Sequence, residues 1–183
     1  KAFISLGMEN FRESYSQLQQ TQLFDRFECG EVSSFHFINQ LLDRLPAGST
    51  ANQVVHAWDA MILDFPMERL EKLEALASKY RLFLLSNTND LHIDAVRRSL
   101  EKTAGHRDLE RYFEKTYFSS AVGMRKPDEQ IFEFVCAENK LDPSKTLFID
   151  DSPQHVEGAK KVGIDAVLLE RKQDVFDLSF FRG

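Results

Sequence analysis

Short apolar runs alternate with helix-period segments beyond residue 65, and this alternation limits the fold more than any other feature of the chain. The runs lie at residues 81–85, 116–119, 146–149 and 166–169. Helical segments are expected after Pro66, Leu91, Pro127 and Pro153. Strands that alternate with helices across short loops pair in parallel. The sequence therefore predicts an α/β fold with a parallel sheet over residues 66–183.

Residues 1–65 show a different pattern, because their apolar side chains recur at helical spacings of three and four. These side chains are Phe24, Phe27, Phe35, Ile38, Leu41 and Leu42. Ser33 and Ser34 are candidate N-caps, and a further helix is expected at about residues 51–61. No convincing strand is found in this part. We therefore predict two domains, an all-helical one at residues 1–65 and an α/β one at residues 66–183.

Charge and cysteine content exclude several classes of protein. The chain of 183 residues has a formal net charge of −6, which is unfavourable for binding nucleic acid or an anionic membrane surface. Two cysteines far apart cannot build a disulfide framework. No apolar run approaches the roughly 20 residues of a membrane span. We expect a cytoplasmic monomer or homodimer that binds neither nucleic acid nor membranes.

Polar side chains follow the first two predicted strands where a ligand would bind. In open α/β sheets, ligands lie at the carboxyl ends of the strands. Ser86 and Asn87 follow the first strand, and Lys126 follows the second. Simpler roles are possible for each, since Ser86 and Asn87 could form an N-cap and a turn, and Lys126 could be a solvated loop residue.

The third predicted strand ends in two adjacent carboxylates, Asp150 and Asp151. Such a pair is repulsive unless a cation or a proton lies between the two groups. If the pair only capped a helix, one acid would be enough, and Ser152 before Pro153 already offers an N-cap. An all-oxygen site with few protein ligands suits Mg²⁺, which keeps several waters and binds substrate phosphate.

Three of these segments together resemble motifs of a known superfamily. Ser86-Asn87-Thr88, Lys126-Pro127 and residues 148–152 are similar, in order and spacing, to the second, third and fourth motifs of the haloacid dehalogenase-like hydrolases, which are mostly phosphatases. The helical cap of one branch of that superfamily is also resembled, at Phe24, Phe27, Gly30 and Glu31. This branch includes bacterial sugar-phosphate phosphatases, such as α-glucose-1-phosphate phosphatase, and the phosphatase domain of soluble epoxide hydrolase.

The resemblance implies a Rossmann-like core with an all-α cap, and a Mg²⁺-dependent phosphatase that acts on a small phosphorylated metabolite through a phosphoaspartyl intermediate. Ser86 and Asn87 would hold phosphoryl oxygens, and Lys126 would neutralise charge shared by the nucleophile and the phosphoryl group. Asp151 would bind Mg²⁺ directly, and Asp150 would bind it directly or through water. The cap would close over the site, exclude water and set the choice of substrate.

The first motif of the superfamily, a strand that ends in a nucleophilic Asp, is not found in this sequence. Asp25, Asp43 and Asp59 lie in helical segments, and Asp64 stands after the predicted cap and before Phe65-Pro66. We expect the motif, with the central strand of the sheet, upstream of Lys1 in a longer protein. Two alternatives stay open: a degenerate or truncated binding module, and a 2-haloacid dehalogenase, which needs no metal and lacks the acidic pair.

The remaining chemistry-bearing residues are expected to be structural. The five histidines are His36, His56, His92, His106 and His155, and they share no metal-binding spacing. We predict surface or packing roles for all five, and note that His92 follows Ser86 closely. Trp58 is predicted to lie in the core of the cap.

Overall fold

A computed structural model describes residues 2–8, 22–170 and 173–181. Residues 9–21 of the predicted cap therefore lie outside the described part. The chain divides into two compact units, Lys1–Gly123 and Met124–Gly183. This division does not test the predicted boundary between cap and core after residue 65, which stays a prediction.

The first unit begins with helices, and no strand occurs among its described residues before residue 83. The helices are α1 (Ala2–Ser5), α2 (Leu23–Glu28), α3 (Ser34–Leu42), α4 (Ala51–Asp59) and α5 (Met67–Ala77). Local capping explains two of the starts. Ser33 Oγ accepts a hydrogen bond from His36 N at the start of α3. A capping box between Thr50 and Gln53 begins α4.

An aromatic cluster forms the core of this helical region. Phe37 is fully buried, and Phe27 and Trp58 are nearly so. The rings of Phe27 and Phe37 stack with centroids 4.1 Å apart, and the Trp58 ring meets Phe37 edge-on at 4.7 Å. Aromatic pairs of this kind add to the free energy gained by burial alone. The prediction that Trp58 is a core residue is confirmed.

The sequence after Pro66 predicts a helix whose buried face consists of Leu70, Leu73, Leu76, Ala77 and Tyr80, and this prediction is only partly correct. Leu70 is buried, but Ala77 and Tyr80 are exposed. The helix ends at Ala77, so Tyr80 no longer follows the helical period on which the expectation rested.

The first unit continues with β1 (Phe83–Ser86), α6 (Asp90–Ala104), a short 3₁₀ helix (Glu110–Tyr112), β2 (Lys115–Phe118) and α7 (Ser119–Val122). The two strands are parallel, with Phe83 opposite Lys115 and Ser86 opposite Phe118. Ser86 is thus the last residue of β1, at the carboxyl end of this sheet.

The second unit is built from two strands and two longer helices. These elements are α8 (Glu129–Asn139), β3 (Leu147–Asp150), α9 (Pro153–Lys161) and β4 (Asp165–Leu168), with 3₁₀ turns at Pro143–Lys145, Val175–Asp177 and Ser179–Phe181. Strands β3 and β4 pair in parallel. Phe132 of α8 packs edge-on against Phe148 of β3 at 5.2 Å. The predicted α/β class with parallel strands is confirmed, and the four described strands form two separate two-stranded sheets.

Within the described residues, every helix is too short or too polar to cross a lipid bilayer.

Candidate functional site

A buried ion pair lies at the carboxyl end of β3. Lys126 Nζ is 2.6 Å from Asp150 Oδ2, and the two side chains are only 8% and 9% exposed. The ammonium also lies 5.4 Å from the centre of the Phe148 ring. A solvated loop lysine would be exposed, so the simpler role considered for Lys126 is wrong. The structure brings together two of the residues predicted from separate motifs.

Asp150 is held by more than the lysine. Its Oδ1 accepts hydrogen bonds from Ser152 N at 2.8 Å and from the Nδ1 of His155 at 2.9 Å. Burial is the largest single influence on Asp150 and favours the neutral acid. The hydrogen bonds from Lys126 and Ser152, together with the charges of Lys126 and His155, outweigh burial and lower the pKa of Asp150 below its ordinary value. Asp150 is therefore a fixed, ionised carboxylate.

Asp151 differs from its neighbour because its side chain is exposed. The pair thus offers one carboxylate tied into the protein and one open to solvent, and carboxylate oxygens suit a hard cation such as Mg²⁺. Among the described residues, no three His, Cys, Asp or Glu side chains are grouped as a metal site. A cation bound by this pair would take its other ligands from water and phosphate, as Mg²⁺ commonly does.

Ser86 and Asn87 lie in the first unit, where they join β1 to α6. Both are half-buried. The N-cap of α6 is Asn89, whose side chain accepts a hydrogen bond from His92 N at 3.1 Å. The alternative that Ser86 or Asn87 caps this helix is therefore wrong.

The loop after β1 is anchored to the residue that follows β2. Thr88 N donates to Ser119 Oγ at 2.9 Å, and Ser119 Oγ donates to Thr88 O at 3.0 Å. Ser119 is 1% exposed, so both bonds are shielded from water. The reciprocal pair fixes the backbone that presents Ser86 and Asn87.

Asn89 also ties this loop to the aromatic core. Its side chain is 1% exposed, and its Oδ1 lies 3.5 Å from the indole Nε1 of Trp58. The His92 ring stacks on Trp58 at 4.9 Å, and His92 Nε2 lies 3.2 Å from Trp58 O. Burial lowers the pKa of His92, despite the opposing effects of the Trp58 carbonyl and of Asp59. The neutral imidazole is favoured at this position.

The structure also locates the four aspartates considered as nucleophiles. Asp25 lies in α2 and Asp59 ends α4, while Asp43 directly follows α3. Asp64 is exposed in the loop between α4 and α5. In the described part of the chain, none of the four follows a strand, so none has the position that the first motif requires.

Three residues with clear structural roles at these strand ends were not predicted from sequence. Asn89 and Ser119 lie outside the recognised motifs, and their partners are distant in sequence. His155 was expected to be a surface or packing residue, and its bond to Asp150 corrects that expectation. A sequence signal existed for His155, because it lies in the first turn of a helix that follows the strand ending in Asp150.

The chain is similar in sequence to known phosphatases. A D-ribitol-5-phosphate phosphatase from Bacteroides thetaiotaomicron is 29% identical over 174 residues, which cover 95% of this chain and 84% of that protein. A phosphorylated carbohydrates phosphatase from Thermotoga maritima is 34% identical over 98 residues, which cover 53% of this chain and 42% of that protein.

Solved structures show the same similarity in three dimensions. The crystal structure of a HAD-family enzyme from Bacteroides thetaiotaomicron, in complex with magnesium and inorganic phosphate, superposes with a TM-score of 0.85 at 32% identity. The superposition covers 95% of this chain and 86% of that one. The family model of the haloacid dehalogenase-like hydrolases matches residues 10–163. The match takes in β1, β2 and β3 with the motifs that follow them, and the chain belongs to the haloacid dehalogenase-like hydrolase family.

Proposed function

We propose that the protein is a Mg²⁺-dependent phosphatase that hydrolyses the phosphate ester of a small phosphorylated carbohydrate. One observation in the structure supports this most, namely the buried Lys126–Asp150 pair next to the exposed Asp151. A fixed cation beside open carboxylate oxygens suits phosphoryl transfer, in which catalysis depends on positioning and on charge neutralisation. The phosphatase relatives described above support the substrate class.

Lys126 has the central role in this proposal. Its ammonium is desolvated and anchored by Asp150, so no reorganisation is needed when negative charge develops on the phosphoryl group. Ser86 and Asn87 would bind phosphoryl oxygens from the loop that Ser119 and Asn89 fix. Each of these roles follows the motif that the residue matches.

The two carboxylates fit a magnesium site of the kind that uses few protein ligands. Asp151 is exposed and would bind the ion, while Asp150, whose two oxygens already accept hydrogen bonds, would act through water. The ion would supply charge neutralisation at the phosphoryl oxygens. The lowered pKa of Asp150 keeps this carboxylate ionised at neutral pH.

A phosphoaspartyl intermediate requires an aspartate nucleophile, which is expected in the first motif of the family. The test uses the protein as its gene encodes it, assayed with p-nitrophenyl phosphate and then with open-chain polyol phosphates and ring sugar phosphates. We expect hydrolysis that is abolished by chelation and restored by Mg²⁺. Borohydride reduction during turnover, followed by mass spectrometry, would identify the phosphorylated aspartate. Mapping to Asp64 would overturn the expected place of the nucleophile.

The Asp151→Asn substitution tests the metal site directly. Because Asp151 is exposed, the variant should fold as the wild type does while Mg²⁺ binding measured by calorimetry is lost. Unchanged Mg²⁺ affinity would remove Asp151 from the site. Phosphate-ester binding without any turnover, in a protein that binds Mg²⁺, would favour the alternative of a non-catalytic binding module.

A further inference from the structure

Helix α9 contacts Asp150 and Pro127, the residue bonded to Lys126, through two residues of one face. His155 and Gly158 are three positions apart, so they lie next to each other on the helix surface. His155 Nδ1 is 2.9 Å from Asp150 Oδ1. A Cβ atom at Gly158 would lie 2.3 Å from the carbonyl oxygen of Pro127, the residue after Lys126.

The imidazole restrains the carboxylate. Because an ionised carboxylate only accepts hydrogen bonds, the Nδ1 of His155 must carry the hydrogen in this contact. Asp150 then receives Ser152 N and His155 Nδ1 on one oxygen and Lys126 Nζ on the other. Bonds on both oxygens prevent rotation about the bond that joins the carboxylate to its Cβ. Without the imidazole this restraint on the carboxylate weakens. The Lys126 ammonium, which is bonded to the same carboxylate, is then held less firmly in place.

Gly158 leaves room for the backbone of Pro127, the residue after the lysine. Cβ atoms essentially never come within 3.0 Å of a backbone oxygen, so any side chain at this position must displace Pro127 or the helix. The Phe132 ring lies 3.1 Å from the same Cβ position, so a new side chain could not avoid Pro127 by shifting towards this ring. Because Pro127 is bonded to Lys126, a shift of its carbonyl would move the backbone of the lysine.

We propose that α9 aligns the Lys126–Asp150 pair, with His155 and Gly158 as positioning residues that hold the carboxylate and the lysine backbone respectively. Neither residue is required to touch substrate. The activity readout of this inference rests on the function proposed above, whereas its spectroscopic readout does not.

The kinetic test compares His155→Ala, His155→Asn and Gly158→Ala in the protein as its gene encodes it. Loss of an outer partner that orients a functional group typically costs about 10- to 100-fold in activity, and we expect this loss in kcat for His155→Ala and Gly158→Ala. KM should stay within about threefold, because the loss concerns the transition state. Asn can donate one hydrogen bond from nearly the same place, so His155→Asn should recover most of kcat.

Matched controls come from the same helix. Gln154 and Glu157 are exposed, and their replacement by Ala should leave kcat unchanged. A purely structural role would lower the melting temperature of His155→Ala without the loss in kcat and without rescue by Asn. Such a result would overturn the proposal. If Gly158→Ala fails to fold, the two His155 variants decide.

The second test needs neither substrate nor metal. Nitrogen-15 NMR of the wild-type protein should show a hydrogen on His155 Nδ1, and Gly158→Ala should alter the resonance of the Lys126 ammonium. A His155 ring that carries its hydrogen on Nε2 alone would overturn the inference whatever the activity. An inactive wild type with the expected spectrum would overturn the proposed function and leave the alignment by α9 supported. An active wild type whose His155 and Gly158 variants keep full activity would support the proposed function and overturn the alignment by α9.

Discussion

The ends of β1 and β3 hold their polar side chains in opposite ways. At the end of β3, Asp150 is both a structural anchor and a member of the proposed active site, since it is buried and bonded to Lys126, Ser152 and His155. At the end of β1, structure and chemistry are divided between residues. Asn89 caps α6 and meets Trp58, whereas the proposed phosphate ligands are Ser86 and Asn87.

This difference determines what a substitution should do. A change in the Lys126–Asp150 pair should alter activity and stability together, because the same bonds serve both. A change at the end of β1 should alter one property and spare the other, according to which residue is replaced. Substitutions in the two regions can therefore strengthen or refute this contrast.

Replacing Lys126 by Met should cause the greatest loss. Removing one preorganised charge-stabilising group costs about 100-fold or more in kcat. The variant also removes the donor to Oδ2 of Asp150, and leaving this carboxylate oxygen without its partner should lower the free energy of unfolding by about 1–3 kcal/mol. Steady-state kinetics and urea unfolding measure the two effects. Lys145, whose side chain is 81% exposed, is the matched control. A kcat within threefold of wild type would exclude Lys126 from catalysis.

Replacing Ser86 by Ala should reduce activity alone. A hydrogen bond to a charged group contributes about 1.5–3 kcal/mol, which corresponds to a loss of roughly 10- to 100-fold in kcat/KM. Stability should change by less than about 0.5 kcal/mol. Ser119→Ala is the matched comparison, because that buried hydroxyl holds Thr88 and its loss should reduce stability by about 1 kcal/mol. A large stability loss in Ser86→Ala would contradict the division of roles at β1.

Replacing Asn89 by Ala should reduce stability more than it affects chemistry. The variant loses the N-cap of α6 and the contact with Trp58, and loss of an N-cap costs about 1–2 kcal/mol. Urea unfolding followed by fluorescence measures this, since Trp58 is the single tryptophan of the chain. Asn89→Ser keeps a capping oxygen and should recover part of the loss. An Asn89→Ala protein as stable as wild type would show that the cap is dispensable.

The smallest expected effect is a difference in pH dependence between the two regions. The pKa of His92 is lowered in the folded protein, so the unfolded chain binds more protons once the pH falls below the ordinary histidine value of about 6.5. The stability linked to His92 is therefore complete above that pH and is lost as the pH falls through the folded pKa. The pKa of Asp150 is also lowered, but its contribution is lost only below the ordinary aspartate value of about 3.9.

The measurement is the urea midpoint reported by Trp58 fluorescence between pH 5 and pH 8. The wild type should lose stability towards pH 5, and His92→Gln should show a flatter profile. His56→Gln is the control, because His56 is an exposed residue of α4, the helix that contains Trp58. An unchanged slope in His92→Gln would assign the effect to another group.

Much of the architecture could be predicted because its causes are local. The strands beginning near residues 83, 115, 147 and 165 were expected from short apolar runs, and the start of α3 from the capping preference of Ser33. The order and spacing of the three motifs also indicated the family. The prediction that Tyr80 is buried was wrong because it extended the helical period of α5 beyond Ala77, where the helix ends.

The sequence by itself determined the class of fold, the family and the residues that bring charge to the strand ends, because hydrophobic period, capping and motif spacing are properties of neighbours in the chain. Tertiary structure alone decided that Lys126 is buried against Asp150, that His155 completes the set of donors, and that only a glycine fits at position 158 beside Pro127. Burial and hydrogen-bond partners depend on which distant segments meet, and that choice is made by the packing of the whole chain.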